Sequence, residues 1–297
     1  MQALALDVVQ AADPGFWRAR EPGFQVEGLA SGHTEPAAPS APAPLSEARR
    51  TRLLGDLLSD GYHVHGRLIS FALAARLLGL LRRLRRDGLP LELCWVYDEL
   101  WQVAELARPL LAAALGDDFQ QLPALTVFWV DPGAGAGWRP HRDRVGSLRA
   151  DGRLASLTMW LALTPATPDN GCIYVLAPGG DRYHGSGDAG AVEPPELQHV
   201  RALPARPGEA LLWNHELLHW GGRSSPRARG PRVSLGFEFV RPPSPYKARP
   251  LAALPAPPLP ARLALIADSV LGYQYMRPTS EAALALALAL RERYPTW

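Results

Sequence analysis

The chain has 297 residues, 47% of them apolar, enough for one sizeable core or one core with a small extension. Charged residues make up 20% and nearly cancel, so the net charge of +2 gives no electrostatic case for nucleic acid or a membrane surface as partner. Cys94 and Cys172 each sit in an apolar run without CxxC spacing, so buried thiols are expected rather than a disulfide.

The first residues, MQALALDVVQAADPGFWRAR, have no basic stretch before their short apolar run, and Asp7 interrupts that run. No run reaches the roughly 20 apolar residues that span a bilayer, and a cytoplasmic location is the resulting expectation. Residues 31–44 are a Pro/Ala/Ser tract expected to run as an extended linker, which makes 1–44 an N-terminal extension. Phe16, Trp17 and Phe24 in that extension suggest docking on the main body.

Helices are expected over 46–59 and 71–86. In the second, Phe71, Ala74, Leu77, Leu78, Leu81 and Leu84 share a face, and Arg82, Arg83, Arg85 and Arg86 crowd the C-terminal end, where cations suit the helix dipole. A solvated helix end is the expectation for these arginines. A third helix is expected over 98–115, capped by Asp98 and kinked or interrupted at Pro109. From Leu122 the pattern turns to strands: 122–130, 153–164, 172–178, 199–204, 209–214 and 231–240, all short, β-branched or aromatic, and separated by turn residues. Asn170-Gly171 reads as a hairpin turn. Leu157, Met159 and Leu161 alternate with Ser156, Thr158 and Trp160, so one face of that strand packs on a core and the other lines something polar. A Pro-rich connection at 242–260 and two helices over about 260–292 close the chain. The expected fold is mainly β with flanking helices (α+β), built on a double-stranded β-helix or cupin-like jelly roll. The divisions expected are 1–44, a β-rich domain with N-terminal helices over 45–245, and a Pro-rich connection with a helical extension over 246–297.

The stretch most indicative of chemistry is Trp138-Arg139-Pro140-His141-Arg142-Asp143. A His and an Asp two apart in an extended segment point to the same side and can reach one ion. A distant His completes a two-His-one-carboxylate triad, which leaves open positions on iron(II). Two histidines could serve, because His215-Glu216-Leu217-Leu218-His219 is a literal HExxH, the signature of helical zinc hydrolases. Pro207 and Gly208 before it and Gly221 and Gly222 after it leave little room for such a helix, and that reading gives His141 and Asp143 no part. Downstream, Arg232 and Ser234 share a strand face with Gly236 and Glu238. A guanidinium and a hydroxyl form a natural cradle for a carboxylate. Alternation does not decide whether that face meets solvent or a polar cavity.

On these residues the sequence resembles the phytanoyl-CoA dioxygenase family of iron(II)- and 2-oxoglutarate-dependent oxygenases. The resemblance spans about 55–241 and is carried by SDGYHVHGRL, PHRD, LTMWLALTPATPDNGCIYVLAPGGD and PGEALLWNHELLHWGGRSSPRARGPRVSLGFEF. It departs where the family's Gly-Ser-His is Gly179-Gly180-Asp181. It implies His141, Asp143 and His219 as metal ligands and Arg232 as the anchor of 2-oxoglutarate, with Ser234, Trp160 and Thr158 near that co-substrate. Iron(II) and 2-oxoglutarate are the implied cofactors, with ascorbate as a supporting reductant. The implied reaction hydroxylates an unactivated C–H bond of a small molecule and releases succinate and CO2. Related halogenases lack the carboxylate, so Asp143 implies oxygenation, desaturation or ring closure. Arg139, Arg142, Arg144, Arg223, Arg227 and Arg229 would favour an anionic substrate if they line the mouth; solvated loop arginines are the alternative. A jelly-roll binding protein without turnover is the rival of a different class.

Overall fold

The structure is a computed structural model, and residues 6–27, 43–133, 137–188, 192–247, 250–252, 256–275 and 279–295 are described. Most of the Pro/Ala/Ser tract lies outside them. Two antiparallel sheets form the centre. The larger runs β1 (Tyr62–Arg67), β7 (Glu209–Asn214), β4 (Ser156–Ala162), β9 (Arg232–Val240), β2 (Gln120–Gln121), β10 (Leu251–Ala252), with β3 (Thr126–Val130) also paired to β9. The smaller runs β6 (Val200–Leu203), β5 (Ile173–Leu176), β8 (His219–Gly221).

Strand parity sorts the side chains. Leu157, Met159 and Leu161 of β4, with Val233, Leu235, Phe237 and Phe239 of β9, join the main core with the helices. Trp160 and Ala162 instead join a smaller cluster with Cys172, Ile173, Val175 and Trp213, between the two sheets. All seven residues of β4 are buried, which is why the strand reads as nearly continuous apolar sequence.

Helix α4 (Phe71–Arg86) buries Ala74, Leu77, Leu80, Leu81 and Leu84 in the main core. Each such leucine contributes about 1.5–3 kcal/mol. Phe71, expected on that face, is exposed: it is the first helical residue, beyond the core's edge. The arginines at the other end are not simply solvated, since Arg83 pairs with Glu21 and Arg85 with Asp131. The Glu21 pair ties α4 to the N-terminal segment, in which helices α1 (Val8–Ala11) and α2 (Pro14–Arg20) place Ala11 and Trp17 in the main core and the turn after them adds Phe24 and Val26.

The single helix expected over 98–115 is two, α5 (Asp98–Leu106) and α6 (Arg108–Leu115), broken at Ala107 with Pro109 in the first turn of α6. Proline has no N–H to donate and suits a helix start. Asp98 does not cap α5. It lies in the first turn and its carboxylate meets Arg262 on α7 (Leu259–Gly272). α7 packs against α8 (Glu281–Arg293) and the 3-10 turn at Leu91–Val96, and it contributes Leu263, Ile266 and Val270 to the same core.

Asn170-Gly171 is not a hairpin turn, because β4 and β5 belong to different sheets. Pro168–Asn170 is a 3-10 turn that Gly171 ends at φ +77°. A Cβ on Gly171 would overlap the carbonyl oxygen of Gly222, so glycine permits both the turn and the close approach of the chain after β8. Cys94 and Cys172 are buried and form no disulfide. Among the described residues no helix is long and apolar enough to cross a membrane.

Candidate metal centre

His141 lies just outside the strands but is bridged to His219 on β8, the two exchanging backbone N–H···O hydrogen bonds of 3.0 Å in both directions. That bridge puts the imidazoles side by side, with ring centroids 4.4 Å apart. Asp143, two residues after His141, turns its carboxylate into the same space. Oδ1 of Asp143 is 3.5 Å from Nε2 of His141 and 3.5 Å from Nε2 of His219. One ligand atom from each residue falls within 4.8 Å of the others. Cis ligands about 2.1 Å from a six-coordinate ion stand about 3 Å apart, so each histidine need approach the carboxylate by only about half an ångström to share a cation with it.

The neighbours of each group decide which atom faces inward. Nδ1 of His141 lies 2.8 Å from the carbonyl of Arg139, and Nδ1 of His219 lies 3.0 Å from the carbonyl of Leu217. A carbonyl only accepts, so both Nδ1 atoms carry the proton and both Nε2 atoms keep a lone pair. On Asp143 the outer oxygen, Oδ2, accepts from the Thr158 hydroxyl at 2.6 Å and the Trp213 indole N–H at 2.9 Å, which leaves Oδ1 toward the histidines. Burial pushes His219 down to about 4, so its imidazole is neutral at neutral pH. Burial also opposes charge on Asp143, but His219 and the His141 contact outweigh it and hold that carboxyl well below its usual range. One carboxylate and a neutral imidazole are the protonation states a divalent cation requires.

His215 is not part of this group. It is fully buried in a turn between β7 and β8, with Nδ1 at 3.5 Å from the Tyr246 hydroxyl. The helix that an HExxH site needs is therefore missing at 215–219, and Glu216 instead accepts from the backbone N–H of Ser147 at 2.8 Å.

The face of β9 that alternation left open turns inward. Arg232 is 2% exposed, and burial pushes its guanidinium down to about 10, which leaves it charged at neutral pH. Among the described residues no carboxylate pairs with it; its charge neighbour is the Cys172 thiol, itself pushed up to about 11 by burial. Nε of Arg232, Oγ of Ser234 and Nε1 of Trp160 are all buried without a hydrogen-bond partner among the described residues. Trp160 stands opposite Gly236 and Ala162 opposite Ser234, so these orphaned groups sit on neighbouring positions of one interior surface. Nη2 of Arg232 lies so close to Gly221, two residues beyond His219, that a Cβ there would be 2.7 Å away. A cavity of about 650 Å³ reaches Arg232, with Trp138, Thr126 and Phe128 on one side and Val270 and Tyr273 of the C-terminal segment on the other. None of the triad residues lines it.

Thr158 meets the triad directly through Asp143. The arginines near the triad divide: Arg142 is buried and paired with Asp181 at 2.5 Å, and Arg144 is paired with Glu238 at 2.7 Å, while Arg139 is exposed. Asp181 is one of the two residues, with Gly180, by which the sequence departs from the family's Gly-Ser-His, and it forms that ion pair. Sequence reading missed Trp213 as a brace of Asp143, and Tyr246. The alternation of β7 was the available signal for Trp213, which stands opposite Thr158.

Residues 85–230, just under half of the chain, match the phytanoyl-CoA dioxygenase (PhyH) family. No curated protein matches the sequence significantly. Among solved structures, the non-heme monooxygenase ThoJ is similar at a TM-score of 0.58 and 17% identity, over 75% of this chain and 96% of that one. The epimerase SnoN, in complex with Fe3+, alpha ketoglutarate and nogalamycin RO, is similar at 0.52 and 17%, over 66% and 85%. The alpha ketoglutarate dependent carbocyclase SnoK from nogalamycin biosynthesis is similar at 0.51 and 16%, over 67% and 87%. At these identities the likeness is one of fold. The family match ends just before Arg232.

Proposed function

We propose that the protein is an iron(II)- and 2-oxoglutarate-dependent oxygenase of small molecules, with His141, Asp143 and His219 holding the metal. The observation that carries the reading is Arg232, a buried cation with no carboxylate partner among the described residues, set against the strand that bears His219. Burying an uncompensated charge costs several kcal/mol, and a ligand carboxylate offsets that cost. Ser234 and Trp160 offer further donors on the same surface. The donor set fits iron(II): two imidazole Nε2 atoms and one carboxylate oxygen on one side of the ion, with the remaining positions free for a chelating keto acid and dioxygen. Iron and 2-oxoglutarate would supply the oxidant, with release of succinate and CO2. The chain's own part is to orient. Thr158 and Trp213 hold Asp143, two backbone carbonyls set the histidine tautomers, and Arg232 fixes the far end of the keto acid.

Hydroxylation of an unactivated C–H bond is the proposed outcome. The fold also carries an epimerase and a carbocyclase, so the outcome depends on how the substrate sits at the metal. Asp143 occupies the position a halide would need, so the product should carry oxygen or a new unsaturation even in chloride buffer. Adding Fe(II) and then 2-oxoglutarate anaerobically to the full chain is expected to develop a visible charge-transfer band, and air should then yield succinate. Binding of both without succinate returns the chain to the binding-protein class; binding of neither removes the proposal.

A further inference from the structure

β9 carries charged side chains at both ends of its inward face. Arg232 begins the strand and Glu238 lies six residues on, about 20 Å away at ordinary strand rise. The end with Glu238 is the one beside the triad carboxylate: Glu238 stands opposite Thr158, which donates to Oδ2 of Asp143. Arg144, next in sequence to Asp143, reaches back to Glu238, and both its contacts fall on Oε2 at 2.7 Å. Among the described residues Oε1 of Glu238 has no hydrogen bond. The two side chains are buried enough to be ordered and open enough to be touched, at 28% and 15% exposure. Arg144 lies over the ring of Tyr246 at 5.0 Å, and the Tyr246 hydroxyl is 2.5 Å from Oγ of Ser156. Tyr273, which lines the Arg232 cavity, is within electrostatic reach of Glu238, Arg144 and Asp143.

Glu238 and Arg144 offset one another as an ion pair, although burial and the Asp143 carboxylate push the Glu238 carboxyl up to about 7, so the pair gives no strong reward to an anion or a cation. It does present an acceptor, Oε1, beside the donors of a planar guanidinium and next to a phenol. A ring bearing two adjacent hydroxyls satisfies all of these, one hydroxyl donating to Oε1 and its neighbour accepting from Arg144. We propose that Glu238 and Arg144, with Tyr246 beside them, form the subsite that binds the substrate, and that it takes a neutral ring with a vicinal diol, as in a glycoside or cyclitol. The inference rests on the oxygenase reading for the word substrate, but the subsite itself is defined without metal.

Binding is measured by saturation-transfer NMR and competition on the full chain, first metal-free and then with Ni(II) and 2-oxoglutarate. Three probes share one aryl group: para-nitrophenyl glucopyranoside, para-nitrophenyl glucuronide and para-nitroanisole. The glucopyranoside should bind best, and Glu238→Gln and Arg144→Met should each weaken it about tenfold, as expected for losing a hydrogen bond to a charged group. Glu238→Gln keeps the shape of the side chain, and its melting temperature checks the fold. Preference for the glucuronide or the anisole, no transfer from any probe, or unchanged binding in both variants overturns the proposal. The iron and 2-oxoglutarate charge-transfer band is read on the unsubstituted chain as a separate control. Failure of that band in the unsubstituted chain counts against the oxygenase reading alone, since diol binding to the metal-free protein does not depend on it.

Discussion

Arg232 and Arg144 face the same interior from opposite ends of β9, and they differ in what neutralises them. Arg144 has Glu238 at 2.7 Å, whereas Arg232 is 2% exposed and has no carboxylate among the described residues. An arginine with a partner is part of the folded structure's own charge balance. A buried arginine without one leaves that balance open, and the group that closes it comes from a ligand. The contrast also bears on the expectation of an anionic substrate. Two of the three arginines around the triad, Arg142 and Arg144, are already paired with Asp181 and Glu238.

The largest effect is expected at the point between the two ends. Asp143→Ala or His219→Ala should abolish Fe(II) retention and turnover together, whereas His215→Ala should keep the metal. Equilibrium dialysis against Fe(II) checks this, and loss of iron in the His215 variant with retention in the His219 variant reverses the ligand assignment. Next comes the comparison itself. Truncating one member of a buried charge pair costs about 2–5 kcal/mol, so Arg232→Ala should raise the 2-oxoglutarate constant on the order of a hundredfold with iron binding unchanged. Arg144→Ala should leave that constant alone. Stability should split the same way: Arg232→Met should melt higher than the unsubstituted chain when 2-oxoglutarate is absent, because it removes an unpaired buried charge. Arg144→Met should melt lower, because it strands Glu238. Equal shifts of one sign would erase the distinction between the two arginines.

A smaller loss is expected at the groups that hold the metal carboxylate. Thr158→Val and Trp213→Phe each remove one donor to Oδ2 of Asp143, and each should weaken metal affinity by about 10- to 100-fold, read by competition with a chelator. The smallest effect is expected at Gly221. A Cβ there would lie 2.7 Å from Nη2 of Arg232, so Gly221→Ala should displace the guanidinium and raise the 2-oxoglutarate constant several-fold, with iron binding untouched. A change in iron binding without one in 2-oxoglutarate would mean that the strain falls on His219 instead.

Much of the fold was legible in the sequence because alternation and helical periodicity record burial directly. β7 and β9 lie where alternating runs placed them, and the parity of β9 correctly separated Arg232, Ser234 and Glu238 from Val233, Leu235 and Phe237. The pairing of Asn170 with Gly171 was read as a hairpin for the opposite reason: a tight turn has the same local signature whether the next strand returns to the same sheet or crosses to another. The helix over 98–115, expected to be kinked or interrupted at Pro109, is interrupted there; the sequence left the choice open because Pro109 suits a kink and a new start equally.

The sequence by itself determined the inventory: a His and an Asp two apart, a distant His, an arginine on an alternating strand, and periodicities that sort side chains onto one face of a strand or the other. Those follow from local backbone geometry, which is written in spacing. Only the tertiary structure decided which of His215 and His219 stands beside His141, because that depends on a backbone bridge between residues far apart in the chain. It alone decided that Trp213 and Thr158 share one oxygen of Asp143. It also decided that Glu238 neutralises Arg144 while nothing in the described chain neutralises Arg232. Pairing and desolvation depend on what packs across the sheet, and residues brought together from separate strands leave no trace in the spacing of either one.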